Sequence, residues 1–257
     1  MTEATPVISV IMPAFNEEAY VAELIGRLGR VLDDPGIAGY EVIVVDDGST
    51  DGTASVVEGL GAPHVRLLRQ PRNAGKGAAV QAGIAVARGM FVLVQDADLE
   101  YFPEDIPALL AATEGRGDVA VYGARLLDAD GRPLGGVVPR HPGQAWGPAL
   151  ANRVLSAWLA LLFQRWIDDL LTGYKLYPRE MFSRFTARTS GFETDHEMTA
   201  WLIRHGYRIV EVPVRYRPRS KAEGKKIRAR DGVIAVRTIW AGRWRNAIDA
   251  PMPGGAG

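Results

Sequence analysis

The chain has 257 residues and 27.9 kDa, of which 47% are hydrophobic and 23% charged; that supports a sizeable core and excludes intrinsic disorder or collagen-like repeats for most of its length. Thirty Lys and Arg balance thirty Asp and Glu, so a chain built wholesale to coat nucleic acid is excluded. The absence of cysteine removes disulfides, thiolate zinc sites, iron–sulfur clusters and a cysteine nucleophile, and fits the cytosol.

The opening Met-Thr-Glu-Ala-Thr-Pro lacks the basic and apolar regions of a secretory signal. From there to about residue 120, short β-branched apolar runs alternate with helical spacing, the pattern of a mostly parallel sheet with helices on both faces. Strands are expected at Val7–Met12, Tyr40–Val45, His64–Leu68, Met90–Val94 and Val119–Tyr122. Helices are expected at Glu18–Leu32, Thr53–Leu60, Ala78–Ala87 and Pro103–Thr113. In such sheets ligands collect at the carboxyl ends of the strands.

Past Leu127 the character changes, and Asp128–Gly147, rich in Gly and Pro, reads as a long loop. Ala149–Ile167 follows as a helix crowded with Leu and bearing Trp158 and Trp166. It suits either packing on the sheet or lying at a lipid headgroup boundary. Its longest wholly apolar run, Ala157–Phe163, falls far short of the roughly 20 residues that cross a bilayer. Further elements are a helix at Thr194–His205, a strand at Tyr207–Val214, a charged loop at Lys221–Lys226, a helix at Gly232–Ala247 and a disordered tail at Pro251–Gly257.

Charge is spread unevenly along this order. Residues 1–60 carry eleven acidic side chains against Arg27 and Arg30, whereas 204–245 carry thirteen basic ones against Glu211, Glu223 and Asp231. An acidic, metal- or base-binding half and an anion-facing half are implied.

Three constellations sit at strand ends. In Val45-Asp46-Asp47-Gly48-Ser49-Thr50-Asp51-Gly52, carboxylates at a strand terminus can accept hydrogen bonds from a base or from ribose hydroxyls, while Asp51 reads as a helix cap. The spacing from Asp47 to Glu58 nearly matches an EF-hand calcium loop, but a strand, not a helix, precedes it. Next, Asp96, Asp98 and Glu100 alternate just after a buried strand and so point to one side. Massed carboxylates there are costly without a cation, and Mg²⁺ or Mn²⁺ shared with phosphates is the natural partner. A D-x-D phosphatase reading, with Asp96 as nucleophile, is weaker because the motif follows the fourth strand. Third, Arg69-Gln70-Pro71-Arg72-Asn73-Ala74-Gly75-Lys76-Gly77 opens a helix with glycines and cations, a setting that attracts phosphate. Near the end, Arg215, Arg217, Arg219, Lys221, Lys225, Lys226, Arg228 and Arg230 cluster close to Trp240 and Trp244, as a solvated face, a phosphate clamp or an anionic-membrane contact.

As an ordered set, Pro13-Ala14-Phe15-Asn16-Glu17, the Asp46–Asp51 turn, Asn73-Ala74-Gly75-Lys76-Gly77 and Asp96-Ala97-Asp98 resemble the inverting glycosyltransferases of family 2 over roughly residues 5–230. Tyr122-Gly123-Ala124-Arg125, Thr172-Gly173-Tyr174-Lys175-Leu176-Tyr177, Gly191-Phe192-Glu193-Thr194-Asp195 and Glu223-Gly224-Lys225-Lys226-Ile227 look like the dolichyl- and polyprenyl-phosphate mannosyl- or glucosyltransferase branch. The resemblance implies an α/β, Rossmann-like GT-A fold over 1–247, with a nucleotide-sugar half at 1–122, an acceptor half at 123–247 and a tail at 248–257. It implies that Pro13, Glu17 and Asp46 or Asp47 hold the nucleoside of a GDP-mannose or UDP-glucose type donor, with Lys76 near. Asp96 and Asp98, with Glu100 as third ligand, would hold the metal. Arg125, Arg215, Arg217 and Lys225 would meet the phosphate of a polyprenyl phosphate acceptor, and Asp195 falls where other members place a catalytic base. The expected setting is the cytoplasmic face of a membrane, with peripheral contact and no nucleic acid partner. The alternative is a soluble family 2 enzyme acting on a small hydroxylated molecule or glycan.

Overall fold

Continuous apolar runs form the strands at the centre of the computed structural model, which describes residues 5–125, 146–189, 191, 193–217 and 229–244. Strands β1 (Ile8–Ala14), β2 (Tyr40–Asp46), β3 (Val65–Arg69), β4 (Phe91–Val94), β5 (Val119–Ala124), β6 (Lys175–Pro178) and β7 (Arg208–Pro213) make one sheet. Its order is β3-β2-β1-β4-β6-β5-β7. All pairs are parallel except those of β6, which runs antiparallel to β4 and β5. The order reverses at β1, where β2 leaves to one side and β4 to the other, and the strand ends at such a reversal are where open α/β sheets bind ligands.

Alternation along the strands feeds two core layers. On one face Ile8, Val10 and Met12 of β1 pack with Val42, Val44 and Leu93. Against them lies α1 (Val21–Leu32), which buries Val21, Leu24, Ile25, Leu28 and Leu32 at helical spacing. A short 3₁₀ turn (Pro103–Asp105) runs into α4 (Ile106–Ala111) on the same side. On the other face Ile11, Ile43, Val45 and Val92 meet α3 (Lys76–Val86). Farther along that face, Ala120, Tyr122 and Tyr177 meet α5 (Trp146–Phe163), α6 (Glu193–Arg204) and α7 (Ala229–Trp244). The remaining helix, α2 (Thr53–Gly59), bridges β2 and β3.

Most expected elements are present with ends moved by a few residues, and three differences have physical causes. Residues 18–20 form turns rather than the start of α1, because Glu18 is engaged with the neighbouring loop: its Oε2 accepts the Gly52 N–H at 2.9 Å. The helix expected to reach Ile167 stops at Phe163, since Gln164 adopts φ +57°, outside the helical basin. Strand β6 was not expected: it is four residues long, carries Lys175, and gains its pairing only between β4 and β5. Most of the expected 128–147 loop, the 221–226 loop and the tail lie outside the described residues.

Helix α3 sits so close to the sheet that a Cβ at Gly83 would lie 2.5 Å from Ile11 Cγ2 and 3.3 Å from Val45 Cγ2. We expect Gly83→Ala to lower unfolding free energy by about 1–3 kcal/mol, the usual cost of overpacking, in a urea titration; an unchanged midpoint would mean that α3 does not seat there.

Candidate active site

The turns at the carboxyl ends of β1 and β2 are hydrogen-bonded to one another. Pro13 lies opposite Val45 near the end of β1, and the chain then turns through Asn16, whose φ is +57°. Asn16 donates its N–H to Ser49 Oγ at 3.0 Å and accepts the Thr50 N–H on Oδ1 at 2.8 Å. The buried Glu17 donates its N–H to Thr53 Oγ1 at 2.9 Å. Asp51 accepts the Thr53 N–H at 3.0 Å, tying down the first residue of α2 as a capping residue would.

Asp46 and Asp47 have different surroundings. Asp46, nearly buried at the end of β2, accepts the Ser49 N–H at 3.1 Å and so shapes its own turn. Asp47 instead accepts the N–H groups of Ala74 and Gly75, both at 2.9 Å. Two of the backbone donors expected to attract phosphate at the entry to α3, those of residues 74 and 75, are therefore occupied by an internal carboxylate. Gly48 makes this approach feasible: its φ is +73°, and a Cβ there would fall 2.7 Å from the backbone of Arg72 and Asn73.

With its entry clamped, α3 presents Lys76 to Asp96. Lys76 Nζ lies 2.6 and 2.8 Å from the two oxygens of Asp96. Burial lowers the lysine's affinity for its proton, but Asp96, and then Asp195, more than offset this, so its pKa is raised. Gly173 closes over the pair: a Cβ there would lie 3.2 Å from Asp96 Oδ2 and 3.7 Å from Lys76 Nζ. Asp98 accepts the Glu100 N–H at 3.2 Å. Glu100, expected beside Asp96 and Asp98, accepts the Tyr216 hydroxyl on Oε2 at 2.7 Å. Among the described residues no three His, Asp or Glu side chains gather closely enough to hold a metal. Asp96 and Asp98 alone still offer hard carboxylate oxygens, a donor set that fits Mg²⁺ or Mn²⁺ when diphosphate oxygens complete the coordination.

Two of the four cations expected to meet an acceptor phosphate, Arg125 and Arg215, are paired with carboxylates of the protein. Arg125, just after β5, donates from Nε at 2.7 Å and Nη2 at 2.8 Å to the fully buried Asp169, while its guanidinium stacks 4.8 Å from the Tyr216 ring centre. Arg215 forks onto Asp105 at 2.9 and 2.7 Å. Arg217 is exposed, and its N–H donates to the Glu100 carbonyl at 2.9 Å. Lys225 lies outside the described residues. Asp195, in the first turn of α6, pairs with Lys175 and accepts the Tyr177 hydroxyl at 2.9 Å. Burial pushes its carboxyl up, yet Lys175, His196 and these hydrogen bonds outweigh that and hold it below the usual range.

Sequence reasoning passed over Asp169, Lys175 as a side chain, Tyr101 and Glu211. Asp169 carries Arg125, and Glu211 on β7 accepts the N–H groups of Asp168 and Asp169, each at 2.8 Å. Tyr101 stacks on Tyr174, with ring centres 4.9 Å apart, and its hydroxyl accepts the Gly173 N–H at 2.9 Å. The available signal was weak: two successive aspartates before Thr172-Gly173-Tyr174, and one acidic residue in a basic segment.

A match to Glycosyl transferase family 2 spans residues 9–184, and the chain belongs to that family. It is a hexosyltransferase whose sequence falls with the enzymes that act on polyprenyl phosphates. It is 30% identical over 232 residues to a polyprenol monophosphomannose synthase of Mycolicibacterium smegmatis, covering 85% of this chain and 82% of the relative. It is 32% identical over 230 residues to a dolichol-phosphate mannosyltransferase of Pyrococcus furiosus, covering 86% of this chain but 60% of that longer relative. In fold it is similar to glucosyl-3-phosphoglycerate synthase of Mycobacterium tuberculosis in complex with phosphoglyceric acid, with a TM-score of 0.67 at 24% identity, covering 94% and 81% of the two chains. The same TM-score, at 22% identity, holds for that enzyme with Mn²⁺, uridine diphosphate and glucosyl-3-phosphoglycerate. These neighbours share the GT-A fold, which is also that of this chain.

Glu211 gives the site a pH signature. Burial raises its pKa to about 6, the two backbone N–H donors pull it back, and Asp168 and Asp169 add to the rise. A raised carboxyl pKa stabilises the folded state fully below the unfolded value, and this contribution is lost as pH climbs through about 6. Relative to Glu211→Gln, the native protein should lose about 2 kcal/mol of unfolding free energy between pH 4 and 7. Parallel denaturant curves across that range check the sign.

Proposed function

We propose that the chain transfers a hexose from a nucleoside diphosphate sugar to a polyprenyl phosphate, with inversion at the anomeric carbon. The observation that carries this reading is the Lys76–Asp96 ion pair just past the end of β4, held at the sheet's reversal point, with Asp98 two residues on in the sequence. A diphosphate placed there meets a fixed cation and two hard carboxylates. In this reading Pro13, Glu17 and Asp46 line the nucleoside subsite, whereas Asp47 supports it by clamping residues 74 and 75. Mg²⁺ or Mn²⁺ held by Asp96 and Asp98 would supply Lewis-acid stabilisation of the leaving diphosphate. Glu100, tied to Tyr216, stays outside that pair.

The acceptor phosphate is already ionised near neutral pH and needs no general base. One of its oxygens attacks the anomeric carbon, the bond from that carbon to the diphosphate breaks, and the electron pair leaves on the diphosphate oxygen. Lys76 stands where that negative charge grows, and Arg125, preset by Asp169, would meet the acceptor phosphate together with Arg217.

A lipid acceptor requires access to a membrane surface, and the exposed side chains support one. Trp158 is not part of that surface: it is partly buried and donates its indole N–H to the Val236 carbonyl at 3.2 Å. Leu150, Val154 and Leu161 of α5, with Val233, Ile234, Trp240 and Trp244 of α7, are the exposed large apolar residues there. Arg237 and Arg243 stand exposed among them, suited to anionic headgroups. No helix among the described residues is long and apolar enough to cross a membrane.

Asp98→Ala should reduce transfer by about a thousandfold or more, the rate equivalent of several kcal/mol of lost stabilisation, with the thermal melting curve unchanged. A variant with native turnover would remove Asp98 from the chemistry. Flotation with anionic liposomes should recover the native chain but not Trp240→Ser/Trp244→Ser. Failure of the native chain to float, together with efficient transfer to a water-soluble hydroxylated acceptor, would favour the soluble glycosyltransferase reading.

A further inference from the structure

Asp195 occupies the position of a base, but its surroundings are those of an anchor. Its Oδ2 is paired with Lys175 Nζ, and its Oδ1 accepts the Tyr177 hydroxyl at 2.9 Å. Its backbone carbonyl accepts Thr199 Oγ1 at 2.9 Å, and that hydroxyl lies 2.7 Å from the Tyr122 hydroxyl. Lys175 in turn is buried: its side chain is 1% exposed, its Nζ donates to the Leu170 carbonyl at 3.2 Å, and it lies 4.5 Å from the Tyr122 ring centre. Burying an ammonium group is costly unless a partner compensates it. Asp195 is that partner.

Placement ties this cluster to the Lys76–Asp96 pair. Lys175 pairs in register with Val94, two residues before Asp96, and Gly173, two residues before Lys175, lies against both Asp96 and Lys76. Asp195 keeps 31% of its side chain exposed, and its charge reaches Lys76. An ionised carboxylate has about four lone-pair sites, and two are taken here, so acceptor capacity remains. A general base is most effective with a pKa near the working pH, whereas this carboxyl is held low by its neighbours.

We propose that Lys175 is a positioning residue that fixes Asp195 as a permanent hydrogen-bond acceptor for a hydroxyl of the donor's sugar, so that Asp195 selects the sugar and takes no proton during transfer. The proposal rests on the glycosyltransferase reading above and deepens it by assigning the sugar subsite.

The test is calorimetry on the full chain with Mn²⁺ and four probes, GDP, UDP, GDP-mannose and UDP-glucose, followed by steady-state transfer to a polyprenyl phosphate. Asp195→Asn and Lys175→Met should weaken binding of the preferred sugar nucleotide about tenfold, as for one lost hydrogen bond to a charged group, and leave the matching nucleoside diphosphate within about twofold. The double variant should be no worse than either single one, and the pH profile of kcat should keep its shape. Tyr177→Phe, a milder change, should move the same ratio in the same direction and keeps the test open if Lys175→Met fails to fold. A large fall in kcat with donor binding intact would make Asp195 a base, and equal weakening of both ligands would make the cluster merely structural. Either overturns the proposal while leaving the glycosyltransferase reading in place. A native chain that binds none of the four probes overturns that reading, and this proposal with it.

Discussion

The carboxylate of Asp96, at the end of a wholly buried strand, is the constraint around which the rest is arranged. A charge in that position is costly unless something cationic answers it, and in the protein alone the answer is Lys76. Holding that lysine there fixes the start of α3, and several features serve that end. Asp47 takes the N–H groups of residues 74 and 75, Gly48 lets its turn approach the Arg72–Asn73 backbone, Gly83 seats the helix on β1, and Gly173 covers the pair. The outcome is a fixed positive charge on the Asp96 carboxylate at the point where strand order reverses. Phosphate chemistry is suited by such a place because its charges are oriented before the ligand arrives.

A second chain of polar contacts runs across the other half of the sheet. Glu211 on β7 holds the backbone of residues 168 and 169, Asp169 holds Arg125, and Arg125 stacks on Tyr216, which donates to Glu100. Asn152 of α5 joins from the side: it donates to the Asp168 carbonyl at 2.6 Å and accepts the Leu171 N–H at 3.0 Å. The helix with exposed apolar side chains is thereby linked through one short segment to Arg125. Removing Arg125 would leave Asp169 buried without its charge partner, so that arginine has a structural role as well as its proposed chemical one.

Much of this was legible in the sequence where a local pattern carried the information. Buried parallel strands read as apolar runs, and the turns bearing Asp46, Lys76 and Asp96 follow directly from the ends of those runs. The two halves of the fold differ in this respect. Strand β6 is a four-residue insert whose partners are remote in sequence, so no periodicity announces it. Lys175 and Asp195 are twenty residues apart and meet only when α6 packs on that strand. Cations at 125 and 215 were visible as charges, but their partners Asp169 and Asp105 were not, since a sequence displays charge and not pairing. Asp46 and Asp47 look equivalent as neighbours, and only the contact with residues 74 and 75 separates them.

The most direct measurement of the central claim is the anomalous signal of Mn²⁺ in crystals grown with a nucleoside diphosphate sugar. The account predicts a single strong peak between Asp96, Asp98 and the diphosphate, with Lys76 Nζ turned toward a phosphate oxygen. A peak elsewhere, with the Lys76–Asp96 pair undisturbed and the diphosphate distant from it, would contradict the account.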